Sequence, residues 1–249
     1  MKRSAANVAA VFRREMASYF LSPIAYVVVC IFVFVNGLLF YGNAYASRKF
    51  PQQIDFILRA LYGWAPFWCL FLCPIITMRL FAEEKRTGTL ETLMTAPVTG
   101  AQVVAGKFLA AEAFFLLIWG SLLLHVLMLA ILGNPDLGPV AAVYIALAAL
   151  GAAMNGLGLL ASALTRNQII AVIGAFAGGL LLLLVEMARQ LFPADPEADR
   201  FFDFVAVTSH FENEYYRGVV DLRFIALYLA LAAVLLFLTS RAVEARRWR

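Results

Sequence analysis

Six long apolar runs separated by short polar intervals set the pattern of this chain, at about 23–41, 60–80, 108–132, 139–164, 169–191 and 224–239. A helix of roughly 20 apolar residues crosses the ~30 Å hydrocarbon layer of a bilayer. The pattern therefore predicts an all-α polytopic membrane protein: six transmembrane helices in one domain over 1–249, with no separate soluble catalytic domain.

The intervals carry their own periodicity. Residues 1–22 are basic and amphipathic, with Val8, Val11, Phe12, Tyr19 and Phe20 set among Arg13, Arg14 and Glu15 before Pro23. This predicts a helix lying in the headgroup plane with its arginines toward anionic lipid. Ala44-Tyr45-Ala46 resembles a signal-peptidase site, but the apolar run before it is longer than an h-region, so cleavage is not expected. In the second run Pro66 and Pro74 should bend the helix, and Tyr62, Trp64 and Trp68 form an aromatic belt toward its outer end. Gly133-Asn134-Pro135-Asp136 is a tight turn, and the short Thr165-Arg166-Asn167-Gln168 link makes the fourth and fifth spans antiparallel neighbours. Gly174 and Gly178 form a GxxxG that fits either packing within the chain or a dimer seam. Residues 192–222 turn acidic and aromatic. Phe201 to Val207 and His210 to Val220 read as amphipathic pieces dipping into or lying on the outer interface.

The longest charged interval of the first two-thirds, Arg79 to Lys107, reads as a short amphipathic helix between hinges. Thr87 and Gly88, or Thr89, offer a start; Leu90, Leu93 and Met94 share one face opposite Glu91, Thr92 and Thr95; Pro97 ends it. So short a helix is marginal in water and needs a partner surface.

Composition agrees with the pattern: 63% of the 249 residues are hydrophobic and only 14% charged, against about one-quarter charged in soluble domains. The net charge of +4 matters less than its sidedness. Placing both termini, 79–107 and 165–168 on one side collects 13 of the 20 Lys and Arg, leaving 7 opposite with 10 of the 16 acids. By the lysine and arginine bias, the first side is cytoplasmic. Cys30, Cys69 and Cys73 sit in apolar runs, where thiols act as small hydrophobes. With only His125 and His210 as further soft ligands, no metal site is expected.

No catalytic constellation emerges, so this chain is not expected to be an enzyme. Gly100 to Lys107, GAQVVAGK, approaches a phosphate-binding loop, but its glycines are too far apart, Phe108 replaces the required hydroxyl residue and no strand precedes it. Lys107 reads instead as a cationic anchor at the entry to the third span. Glu112, His125 and Glu186, with Asn36 and Asn155, are the polar groups near or within spans. Glu112 and Glu186 read as lying within a turn or two of a span end, and helix-to-helix hydrogen bonding accounts for such groups better than a proton relay, which needs a series across the membrane.

The motif Glu83-Glu84-Lys85-Arg86-Thr87-Gly88-Thr89-Leu90-Glu91-Thr92-Leu93-Met94-Thr95-Ala96-Pro97-Val98, followed by Gly106-Lys107, resembles the permease subunits of ABC-2 type transporters. The end of the chain, with His210-Phe211-Glu212-Asn213, Arg217-Gly218-Val219-Val220-Asp221, Phe237-Leu238-Thr239 and Arg246-Arg247-Trp248, resembles the gliding-motility branch, related to permeases linked to copper-enzyme maturation. Glu214-Tyr215-Tyr216 departs from that branch, which tends to have Phe and Ser there. The resemblance implies a bacterial inner-membrane exporter subunit, paired with a second permease chain in a homodimer or heterodimer. An extracytoplasmic accessory protein is a further partner, and no nucleic acid is involved. The stretch after the second span is then a coupling helix docked in a separate ATP-binding subunit. Its Leu90, Leu93 and Met94 would fill the groove, Glu83, Glu84, Lys85, Arg86 and Glu91 would set the register, and the turn with Arg166 would make a second contact. This chain itself would hold no cofactor, with ATP and magnesium in the partner. Two other readings fit the spans alone: an ion-coupled transporter using Glu112 and His125, and a membrane scaffold passing force through 192–222.

Overall fold

A computed structural model describes residues 2–47, 54–89, 98–132, 134–191 and 204–245. Helix is the only regular structure among them, and six helical stretches are long and apolar enough to cross a membrane. Helix α1 (Lys2–Phe20) turns at Leu21 and Ser22 into α2 (Pro23–Ser47), the first candidate span. The second is built from α3 (Ile54–Tyr62), α4 (Ala65–Thr77) and α5 (Arg79–Thr87). The third is α6 (Gly100–Gly120) with α7 (Leu123–Leu132). Then come α8 (Leu137–Leu164) and α9 (Gln168–Leu191), and after α10 (Val207–Asn213) and a 3-10 turn at Tyr215–Arg217, the last span α11 (Leu222–Glu244).

Several spans are longer than their apolar runs. The second reaches Thr87 and the third begins at Gly100, because both helices continue through polar residues that find partners inside the protein. Pro66 stands in the first turn of α4, where the missing N–H costs nothing, whereas Pro74 lies inside that helix. The extension of the third span also moves Glu112 inward. It lies 12 residues past Gly100, about 18 Å along the helix, well beyond a turn or two from the span's start. There it accepts a hydrogen bond from Asn155 Nδ2 at 2.9 Å, a direct helix-to-helix bond between α6 and α8. Cys69 and Cys73 are fully buried in the core.

Helix α8 is the axis of the bundle, packed by α4, α6, α9 and α11. Its small residues permit this. A Cβ on Gly158 would stand 2.0 Å from Thr77 Oγ1, so α4 and α8 could not approach as they do with any larger residue. The GxxxG of α9 is used within the chain: Gly178 lies against the Leu157 side chain and Gly174 against Ala161, both on α8.

Helix α1 also packs on protein. Val11, Glu15 and Tyr19 repeat at helical spacing along its buried side, facing α6, while Arg13 is exposed. Tyr19 stacks on Phe114 with ring centroids 4.6 Å apart and donates to the Ile76 carbonyl at 2.8 Å. Of the apolar residues of this helix, Val11 and Tyr19 are thus buried against the protein, while Phe20 stays exposed.

Candidate functional site

The charged interval after the second span converges with four other chain segments at one end of the bundle. The start of α1 reaches the start of α6 through Gln102, which donates to Ser4 Oγ at 2.9 Å and accepts from Asn7 Nδ2 at 3.1 Å. Thr99 and Gln102 form a capping box that fixes where α6 begins. Glu244, at the end of α11, lies against Gly100. The end of α8 and the start of α9 complete this face by packing on α5.

Helix α5 follows α4 after a break at Met78, and both sides of that break are tied to α8 by one hydroxyl. Ser162 Oγ accepts from the Phe81 and Ala82 amides at 3.1 and 3.0 Å and donates to the Met78 carbonyl at 2.8 Å. The Phe81 amide belongs to the first turn of α5, where N–H groups have no carbonyl partner within the helix. At its other end, Gly88 adopts φ 75° and closes α5 as a left-handed cap. Thr87-Gly88, read in the sequence as a helix start, therefore stops the preceding helix.

Four charges meet beneath α5. Lys107, entirely buried, places Nζ 2.7 Å from Glu15 and 3.0 Å from Glu84. Arg14 pairs with Glu84 and, at 2.7 Å, with Glu15. Two cations balance two carboxylates, the condition under which such burial is tolerable. Burial alone would raise the Glu15 carboxyl, but Lys107 and Arg14 outweigh it and hold Glu15 below its ordinary value. Lys107 is therefore an internal counter-ion joining α1, α5 and α6. It is not the snorkelling anchor expected from its position in the sequence. The neighbouring Gly106 has a packing reason too, since a Cβ there would come within 2.7 Å of Val11 Cβ on α1.

The predicted site residues divide between interior and surface. Glu84 and Lys85 are spent inside the chain, Glu84 in the four-charge cluster and Lys85 on the Ala163 carbonyl at the end of α8. Glu83 is partly exposed, pairs with Arg86 at 2.5 Å and accepts from Gln168 at the start of α9. Arg86, Thr87, Gly88 and Thr89 are exposed, with Thr87 bonded to the Glu83 carbonyl at 2.9 Å and to the Thr89 hydroxyl at 3.0 Å. Arg166 is exposed in the turn, which is ordered by Thr165 and Asn167 capping bonds to the amides of Asn167 and Ile169. Leu90, Glu91, Leu93, Met94 and Pro97 lie outside the described residues. The structure thus joins the Glu83–Arg86 segment to the 165–168 turn, which the sequence treats as separate. Gln168 and Ser162, which help make the join, and Glu15 and Lys107, which tie Glu84 to α1 and α6, were not expected there.

A profile described as "ABC-2 family transporter protein" matches residues 9–240, from the α1 helix to the last span. The chain belongs to this family. It is a transmembrane permease of an ABC transporter, and the family implies an ATP-binding subunit as its partner. No curated protein sequence matches the chain. As a multi-pass permease it is a transport component of the membrane.

Proposed function

We propose that this permease couples ATP hydrolysis by a separate subunit to movement across the bacterial cytoplasmic membrane, with both termini and the α5 end on the cytoplasmic side. The Leu90, Leu93 and Met94 face fills a groove on the ATP-binding subunit, Glu83, Arg86 and Glu91 set its register, and Arg166 makes the second contact. Glu84 and Lys85 serve another purpose, holding α5 to α1, α6 and α8. ATP and magnesium stay with the partner. Two permease chains, identical or different, would alternate between inward-open and outward-open states as the ATPases close.

The observation that carries this reading is the tie between α5 and the 162–168 segment through Ser162, Lys85 and Glu83. A push on either contact then reaches α4, α8 and α9 together, which is what transmission into the spans requires. In the complex purified with its ATP-binding subunit, Leu90→Asp with Leu93→Asp should abolish permease-stimulated ATPase activity while the chain remains inserted. Unchanged stimulation would refute the docking.

A further inference from the structure

At the opposite end of the bundle, a pocket of about 80 Å³ lies between α3, the start of α8 and the 3-10 turn. Arg59 and Arg217 line it from two separate elements, with Asp136 as the one acid on its wall and Tyr62, Val140 and Tyr216 among its apolar lining. We propose that this pocket binds a small oxyanion, a phosphate or a carboxylate.

Charge is the first reason. Neither arginine makes an ion pair among the described residues, whereas Arg14, Arg86, Arg223 and Arg241 each do. Both arginines are exposed residues lining one concavity, so their like charges repel across it, and with Asp136 the described lining carries a net positive charge. An oxyanion between them would turn that repulsion into two fork-shaped sets of N–H donors. The second reason is that the wall is built. Tyr216 Oη donates to the Tyr62 carbonyl at 2.8 Å, fixing the turn to the end of α3. Gly218, at φ 81°, follows Arg217 and lies so close to α8 that a Cβ would stand 3.2 Å from the Pro139 nitrogen. The backbone that carries Arg217 is therefore set before any ligand arrives, which lowers the ordering cost of binding. Asp136 Oδ1 is committed to the Gly138 amide as the cap of α8, so it is held in place as the acidic part of the wall.

The test uses the full chain in nanodiscs of phosphatidylcholine. Inorganic phosphate is titrated against the thermal unfolding midpoint, and in parallel the retention of phosphatidylglycerol is measured by native mass spectrometry. Saturable binding of either is expected: phosphate alone indicates a soluble oxyanion, the lipid alone a headgroup, and both a site that takes either source. Arg59→Gln with Arg217→Gln should weaken binding at least tenfold. Asp136→Asn, which keeps a good helix cap while removing the negative charge, should strengthen it severalfold. Binding of neither probe, or binding unchanged in the double variant, would overturn the proposal. If the double variant does not fold, the Asp136→Asn result decides, and no gain in affinity there would overturn it equally.

Discussion

At one end of the bundle, Arg14, Glu15, Glu84 and Lys107 meet in a balanced cluster around the buried Lys107 and Glu15, joining α1, α5 and α6. At the other end, the chain is closed by neutral bonds between aromatic side chains and helix ends. Tyr216 donates to the Tyr62 carbonyl at 2.8 Å, Tyr144 to the Trp119 carbonyl at 2.7 Å, and His210 Nδ1 lies 2.7 Å from the Tyr228 hydroxyl while its ring stacks on Phe224. The contrast is one of consequence. Removing one member of a charged cluster strands its partners in low dielectric, whereas removing one neutral bond costs that bond. The charged end is therefore held together as a unit, while the aromatic end can lose contacts singly.

The strongest attack on this contrast is Lys107→Met, which leaves Glu15 and Glu84 opposed only by Arg14 and should cost about 3–5 kcal/mol in denaturant unfolding of the detergent-solubilised chain. Adding Glu15→Met restores charge balance through the Arg14–Glu84 pair and should recover most of the loss. Gly106→Val comes next. It drives a side chain into Val11 and should cost about 1–3 kcal/mol, with faster proteolysis at α1 as the local sign. Tyr216→Phe, at the aromatic end, should cost only about 0.5–1.5 kcal/mol and leave α1 protected. Acid sharpens the comparison with the smallest effect near neutrality. Because Glu15 is held below 4.5 in the folded chain, its contribution is present above that value and is lost as pH falls through its depressed one. The Glu15 contribution should thus be lost only below about pH 4.5, and Lys107→Met, which leaves Arg14 as a remaining partner, should weaken that part of the acid dependence.

Much of the fold is legible along the sequence because lipid demands long apolar helices, and the six runs appear as six spanning stretches. The ends of those helices are less legible. Arg79 to Thr87 and Gly100 to Lys107 look like loop in a hydropathy reading, yet they extend α4 and α6 because Ser162, Glu15 and Glu84 supply partners distant in the chain. The motif from Glu83 to Thr89 is visible as a candidate site. That Glu84 and Lys85 turn inward while Glu83 and Arg86 remain on the surface depends on which helix lies behind α5, and spacing alone carries no such information. Gly106 beside Lys107 was the available signal: a glycine in mid-helix next to a lysine marks a close approach as well as a failed phosphate loop.

The central claim is that the partner ATPase grips the charged end and leaves the aromatic end alone. Photo-cross-linking amino acids placed at Arg86, Arg166 and Arg217 in the assembled complex test it directly. Capture of the ATP-binding subunit is expected from positions 86 and 166 and none from 217. Capture from 217, or from neither 86 nor 166 in a complex that hydrolyses ATP, would contradict it.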